Sequence, residues 1–343
     1  MKTASIDVDE AMERKKYRIL IADSSIRPEG LHVLEPYASL ALTEAHAPER
    51  ELVREAKDVD AILVRSATIS KPVIDASQKL VVVSRHGVGV DNVDVEECSR
   101  QGILVTTTGD ANSEAVSELA FACIMACIRK LTVASAEFKA GKWDRSALLG
   151  MELRGKTLGI IGFGRIGSRV AQHSRGFEME VLVHDTNVDA ESARAMNCTQ
   201  VDLPTLLRRS DFITLHIPLV PETKNIIGKA EFELMKPTAI LVNTARGGLV
   251  DEHELYNALV QKRIAAAALD VFDQEPMPAD HPLRRLDNLI GLPHMGGQTV
   301  EAMVRMSKRA AENILLVLRG EIPDGVVNPE VLRNPAIRRC AAR

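Results

Sequence analysis

From Tyr17 onward, short uninterrupted apolar runs alternate with stretches whose apolar residues recur at helical spacing. The first series of runs is Arg18-Ile19-Leu20-Ile21-Ala22, Ala61-Ile62-Leu63-Val64, Leu80-Val81-Val82-Val83 and Ile103-Leu104-Val105, with helical spacing over residues 47–57 and 71–77. A second series runs through Leu158, Val181, Phe212-Ile213-Thr214-Leu215, Ala239-Ile240-Leu241-Val242, residues 265–271 and Asn288-Leu289-Ile290. Strands alternating with helices predict parallel sheets with helices on their faces, here in two doubly wound α/β domains. Between the series, residues 112–130 and 133–140 read as helix that is apolar on more than one side. Such a helix packs inside a large protein or against a partner, so it is expected to be a linker helix and a homodimer face. A last helix over 299–318 is expected to return to the first domain. No internal repeat is evident.

The second series carries a motif. The strand Leu158-Gly159-Ile160-Ile161 runs into Gly162-Phe163-Gly164-Arg165-Ile166-Gly167, and the next strand ends at Asp185, eighteen residues beyond the last glycine. This is a dinucleotide-binding fingerprint in a strand, turn, helix and strand setting. Gly162 permits the tight turn, Gly164 lets backbone N–H groups approach a pyrophosphate at the helix N-terminus, and Gly167 lets helix and strand pack closely. Asp185 is placed to accept hydrogen bonds from ribose hydroxyls and to repel a 2′-phosphate, which favours NAD over NADP. The expected organisation is therefore two Rossmann-like domains. Residues 111–295 would form the NAD-binding domain, and residues 17–110 with 296–332 a discontinuous substrate domain. A cleft between them, hinges near 108–111 and 293–297, and tails at 1–16 and 333–343 complete the expectation.

Composition narrows the function. The chain has 343 residues, 45% hydrophobic and 26% charged, with a formal net charge of −4, and its basic residues are dispersed, which argues against a nucleic-acid role. Residues 1–16 are polar with no apolar core segment, and no apolar stretch approaches about 18 residues, so neither secretion nor membrane spanning is expected. The five cysteines, Cys98, Cys123, Cys127, Cys198 and Cys340, show neither a CxxC pair nor zinc-ligand spacing and read as reduced thiols of a cytoplasmic protein.

Three segments at predicted strand ends carry polar residues: Asn243-Thr244-Ala245-Arg246-Gly247-Gly248, Leu269-Asp270-Val271-Phe272-Asp273-Gln274-Glu275-Pro276 and Leu292-Pro293-His294-Met295-Gly296-Gly297. In open α/β sheets ligands bind beyond the carboxyl ends of the strands, so Arg246, Glu275 and His294 form a candidate catalytic set. Singly, each has an ordinary explanation as a surface cation, a loop carboxylate or a turn histidine. Together they suit hydride exchange between a nicotinamide and a 2-hydroxy or 2-oxo acid, which requires a proton carrier. His294 would be acid in reduction and base in oxidation, Glu275 would orient it, and Arg246 would fork onto the substrate's carboxylate or carbonyl oxygen. The run Arg85-His86-Gly87-Val88-Gly89 is either an anion-binding turn of successive N–H groups or an ordinary tight turn.

In these motifs, in this order, the chain resembles the D-isomer-specific 2-hydroxyacid dehydrogenase family over about residues 17–332, and most of all its phosphoglycerate dehydrogenases. The resemblance implies catalysis by Arg246, Glu275 and His294. It places Arg165 and Ile166 at the pyrophosphate, and Pro218, Thr244, Ala245, Asp270, Gly296 and Gly297 along the cofactor. It favours Val88 and Gly89 as binders of the substrate carboxylate, and Arg65, Arg85 and Arg145 as cations for a second anionic group, Arg145 coming from a neighbouring subunit. The implied substrate is D-3-phosphoglycerate or a similar doubly anionic acid. His86 and Val88 stand where phosphoglycerate dehydrogenases usually carry a small residue and a threonine. That departure keeps hydroxypyruvate or glyoxylate reduction and sulfolactate oxidation as alternatives. The related formate dehydrogenases carry glutamine where this chain has Glu275. No regulatory domain is expected after Pro335. A reading from another class, an NAD-sensing corepressor-like binding protein, is disfavoured by the retained Arg246, Glu275 and His294.

Overall fold

A computed structural model describes residues 17–188, 190–334 and 337–338. The expectations for residues 1–16, for Cys340 and for most of the 333–343 tail lie outside the described residues. In chain order the elements begin with β1 (Tyr17–Ala22), α1 (Pro28–Leu34), β2 (Ala38–Leu42), α2 (Glu49–Glu55), β3 (Ala61–Val64), α3 (Lys71–Asp75), β4 (Val82–Arg85), α4 (Val95–Arg100) and β5 (Leu104–Thr106). There follow α5 (Ser113–Ile128), α6 (Leu131–Lys139), β6 (Thr157–Ile161), α7 (Arg165–Arg175), β7 (Glu180–His184), α8 (Ala190–Ala195), β8 (Thr199–Gln200), α9 (Leu203–Arg209) and β9 (Phe212–Leu215). The series ends with α10 (Lys229–Leu234), β10 (Ile240–Asn243), α11 (Glu252–Val260), β11 (Ala266–Leu269), β12 (Leu289–Gly291) and α12 (Val300–Leu318). The chain divides into two compact units, one running to Asn112 and resuming at Gly297, the other spanning Ser113–Gly296.

The first unit holds a parallel sheet in the order β2-β1-β3-β4-β5. Ile19 and Ile21 of β1 enter one core cluster with Leu63 and Ile314, while Leu20 and Ala22 enter another with Ile62 and Val64. Side chains alternate between faces along a strand, so burial of both faces requires the continuous apolar run seen in the sequence. Helix α12 covers one face, starting from a Thr299 cap whose hydroxyl accepts the Ala302 N–H at 3.1 Å.

The second unit holds a parallel sheet in the order β12-β11-β10-β9-β6-β7-β8. The chain leaves β6 toward β7 and β8 and then crosses to the other side at β9. The loops after β6 and β9 thus diverge at a topological switch point, where α/β sheets bind ligands.

Helix α5 takes much of its apolar cover from its own unit. It packs against α7, β10 and β11 of its own unit, and Phe121 stacks on Phe177 with ring centroids 5.0 Å apart. The Phe121 side chain is therefore packed within the chain, while Leu119, Met125 and Cys127 of the same helix are only partly buried. The chain turns at Lys130, in left-handed backbone conformation with φ 49°, into α6, which buries none of its residues. Its exposed apolar side chains, with those of the segment after it, include Leu131, Phe138, Trp143 and Leu149.

Candidate functional site

The glycine-rich turn after β6 is built by close approaches. Gly162 has φ 93°, and a Cβ there would lie 2.6 Å from the His216 carbonyl oxygen; one at Gly167 would lie 2.0 Å from the Gly162 carbonyl oxygen. At Gly164, the residue before α7, an added Cβ would meet nothing within 4 Å. The turn therefore leaves open room directly before the helix N-terminus, where N–H groups and the helix dipole favour an anion. Asp185 lies at the end of β7 with Oδ2 accepting the Phe163 N–H and Oδ1 the Asn187 N–H, both at 2.7 Å. Its carboxylate braces the turn.

Three neighbouring strand ends of this unit present the candidate chemistry. Asn243, buried at the end of β10, accepts the Ala245 N–H at 3.0 Å and donates to the Arg246 carbonyl at 2.7 Å. One amide thus fixes the turn that carries Arg246. Gly247 brings this turn against the next one, since a Cβ there would lie 2.1 Å from the Phe272 carbonyl oxygen. Beyond β11, Glu275 accepts the Phe272 N–H through Oε1 at 3.0 Å, and its Oε2 lies 2.6 Å from His294 Nδ1. A carboxylate only accepts, so Nδ1 carries the hydrogen and Nε2 stays outside this bond. The His294 side chain is half exposed.

The electrostatics suit an ionised carboxylate. Burial raises the Glu275 pKa, but the His294 hydrogen bond, the Phe272 N–H and the charges of His294 and Arg246 hold it below the ordinary carboxylate value. Asp270 is shifted the other way, upward, chiefly by burial and against its two backbone hydrogen bonds. It accepts the N–H groups of Met295 at 2.8 Å and Gly296 at 2.7 Å, so its carboxylate holds the His294 turn. That turn needs holding, because His294 has φ 53°, a left-handed conformation uncommon for a side-chain-bearing residue.

The remaining candidates are distributed. Pro218 is exposed after β9, and the Thr244 hydroxyl is buried with no partner among the described residues. Arg145 is exposed beyond α6 and is not brought to Arg246, Glu275 or His294 by any hydrogen bond or ion pair among the described residues. In the first unit, Arg65 opens the turn after β3 and donates to Ser25 Oγ at 2.5 Å, while Arg85 folds over Gly87 and donates to the His86 carbonyl. The N–H groups of Val88 and Gly89 donate to no described residue. Gly297 belongs to this unit and packs near Met306 and Asn112.

The sequence reasoning missed the residues that hold these turns. Besides Asn243, these include Asp23, which is fully buried and accepts the Ser25 and Ser66 N–H groups at 2.8 and 3.2 Å, and Asn92, which donates to the carbonyls of Arg65 and Ala67. Glu252 accepts the Asp273 N–H at 2.8 Å and so braces the Glu275 loop. A polar residue at or just after a strand end is the available signal for Asn243 and Asp23, which share it with the candidate catalytic set, whereas Asn92 and Glu252 stand away from strand ends.

Comparison with known proteins gives a consistent picture. Residues 121–296 match the family model described as D-isomer specific 2-hydroxyacid dehydrogenase, NAD binding domain. The chain is 45% identical over 313 residues to a D-3-phosphoglycerate dehydrogenase of Methanocaldococcus jannaschii, covering 91% of this chain and 59% of that relative's length. It is 40% identical over 311 residues to a glyoxylate reductase of Korarchaeum cryptofilum, covering 89% of this chain and 94% of the relative. Its fold is similar to the solved structure of the TT0316 protein from Thermus thermophilus, with TM-score 0.84 and 33% identity over 90% of this chain and 99% of that one.

Proposed function

Because the chain belongs to the D-isomer-specific 2-hydroxyacid dehydrogenase family, we propose that it is an NAD-dependent oxidoreductase that interconverts a D-2-hydroxy acid and its 2-oxo acid. The observation that carries this reading is the His294–Glu275 pair at 2.6 Å, which leaves the Nε2 of a half-exposed imidazole side chain for proton exchange. The cofactor fits the residues present. The open space at Gly164, the α7 N-terminus and Asp185 suit the pyrophosphate and adenosine ribose, and the buried, unpartnered Thr244 hydroxyl suits the nicotinamide half with Ala245 and Asp270. When bound, NAD supplies hydride acceptance and its reduced form hydride donation.

The chain's own residues handle the proton and the anionic groups. In reduction, His294 Nε2 gives a proton to the substrate's carbonyl oxygen, and in oxidation it takes the hydroxyl proton. Glu275 keeps the ring's tautomer and offsets the charge of the imidazolium, while Arg246 supplies a planar pair of donors to the substrate's oxygens. The unpartnered N–H groups of Val88 and Gly89 take the substrate carboxylate.

Arg65, Arg85 and Arg145 favour a second anionic group, with D-3-phosphoglycerate the leading substrate. Likeness to a glyoxylate reductase over 94% of that relative's length favours glyoxylate or hydroxypyruvate as the second reading. The exposed apolar face of α6 and the segment after it suits a second copy of the chain, giving a homodimer. Cys98, Cys123, Cys127 and Cys198 are free thiols whose pKa values burial raises, consistent with a reducing, cytoplasmic location.

Steady-state oxidation of NADH and NADPH with phosphohydroxypyruvate, hydroxypyruvate, glyoxylate and sulfopyruvate tests the reading. Preference for phosphohydroxypyruvate with NADH is expected. Higher kcat/KM with glyoxylate would overturn the substrate assignment, and no turnover with any 2-oxo acid would overturn the activity.

Glu275→Gln is expected to act through charge. The depressed pKa of Glu275 stabilises the fold above the unfolded carboxylate value of 4.5, and that contribution is lost as pH falls through the folded value. Thermal melts of wild type and variant should therefore differ at neutral pH and converge below pH 4.5.

A further inference from the structure

We propose that His86 is a positioning residue for the substrate: its ring ties the turn after β4 to helix α12 at Ser307, and so sets where the Val88 and Gly89 N–H groups stand. The inference rests on the substrate-loop reading above and assigns a residue which that reading leaves unused.

The His86 side chain is 1% exposed, with Nε2 lying 3.0 Å from Ser307 Oγ and 3.4 Å from the Met303 carbonyl oxygen. A carbonyl only accepts, so Nε2 carries the hydrogen and Nδ1 is a bare acceptor. Burial, with the nearby Arg65 and Arg85 guanidinium groups, lowers the His86 pKa to about 4, and the ring serves as a neutral donor at neutral pH. Nδ1 has no partner among the described residues, so the Nε2 edge is the ring's polar anchorage. An apolar side chain would fill the same space without the cost of desolvating an imidazole.

The anchor point is itself fixed. Ser307 Oγ accepts the Arg27 N–H at 3.0 Å, and a Cβ on Gly30 of α1 would lie 2.6 Å from the Ser307 carbonyl oxygen. Helices α1 and α12 thus cross in close contact at the residue that receives the His86 ring. On the loop side, the His86 N–H donates to Val64 O at 2.7 Å and the Thr108 N–H to Gly87 O at 2.9 Å. Gly87 has φ 142°, and the Arg85 guanidinium fills the place a Cβ would take. Backbone donors have no rotamers and move only with their loop. The His86 ring is the side-chain anchor immediately before the two N–H groups in question, and small displacements of such groups weaken binding strongly.

The test compares wild type, His86→Ala, His86→Gln, Ser307→Ala and the His86→Ala/Ser307→Ala double variant. Initial rates with saturating NADH and the preferred 2-oxo acid are combined with NADH affinity by fluorescence, thermal melts and amide exchange at residue 86 and Thr108. His86→Ala is expected to raise KM for the 2-oxo acid about tenfold, with kcat within about threefold and NADH affinity unchanged. His86→Gln keeps an amide donor able to reach Ser307 and should recover most of that loss. The double variant should be no worse than His86→Ala. Exchange at the hydrogen-bonded N–H groups of residue 86 and Thr108, which tie this loop to Val64 O and Gly87 O, should rise in His86→Ala and fall back in His86→Gln. An unchanged KM would overturn the proposal, as would parallel losses of KM, kcat, NADH affinity and melting temperature that glutamine does not restore. If wild type turns over no 2-oxo acid, the substrate reading has failed, and the exchange measurements still decide whether His86 fixes the loop.

Discussion

His294→Ala is expected to lower kcat by about a hundredfold to ten-thousandfold, the usual share of a positioned general acid–base. NADH affinity, read by fluorescence, should stay near the wild-type value, because the proposed cofactor contacts lie on other residues. The size of the expected effect follows from how much structure is spent on one side chain. His294 is held in a left-handed backbone conformation. Its turn is gripped by the buried Asp270 carboxylate through two N–H groups, and its ring is oriented by Glu275. A merely structural surface histidine would need none of this, since a half-exposed ring contributes little packing. The measurement is single-turnover reduction under saturating substrate, and partial rescue by imidazole in the buffer is expected. Unchanged turnover in His294→Ala would remove the proton carrier from the mechanism.

The parts of the fold that were legible in the sequence are those where burial on both sheet faces forces continuous apolar strands. β1, β3, β9 and β10 show this, with neighbouring residues entering opposite core clusters. β2 and β8 were illegible because these two edge strands carry no apolar run, whereas the edge strands β5 and β12 do. β2 is Ala38-Ser39-Leu40-Ala41-Leu42 with mixed exposure, and β8 is Thr199–Gln200 alone. Neither produces an apolar run, and a short edge strand draws its stability from its neighbour rather than from its own pattern.

Helix α5 is ambiguous in another way. A helix enclosed by a sheet and another helix is apolar all round, and the sequence alone does not distinguish that cover from a partner subunit. The surface left uncovered is that of α6 and the segment after it, where Phe138 and Trp143 stand exposed amid polar residues.

At the candidate site, the glycine fingerprint was legible because steric need restricts those positions to one residue type. The bracing residues were not. Asp23, Asn92, Asn243 and Glu252 hold the turns through hydrogen bonds to backbone groups remote from them in sequence or set by local geometry. Such pairings leave no periodicity to read. Asp270 shows the same ambiguity from the other side. Its motif position suggested a cofactor contact, while its carboxylate is committed to Met295 and Gly296.

Arg246→Ala is expected to reduce kcat/KM for the 2-oxo acid by about a hundredfold to a thousandfold, as when a preorganised donor to a developing oxyanion is lost. Preorganisation is visible in the backbone that carries it. The Asn243 amide closes the turn from both ends, and Gly247 presses it against the Phe272 carbonyl, so the guanidinium is delivered from a rigid base rather than from a mobile loop. The charge also reaches Glu275, whose lowered pKa depends in part on Arg246. Alanine therefore removes two contributions, the donor to substrate and part of the field that keeps the carboxylate ionised. Lysine separates them. It restores the charge near Glu275 but presents a point donor in place of a planar fork, so Arg246→Lys should recover the acid limb of the pH profile while leaving kcat/KM at least about tenfold low. Full recovery of kcat/KM by lysine would show that charge alone is required and would remove the bidentate role. A near-normal kcat/KM in Arg246→Ala would place the substrate's oxygens elsewhere.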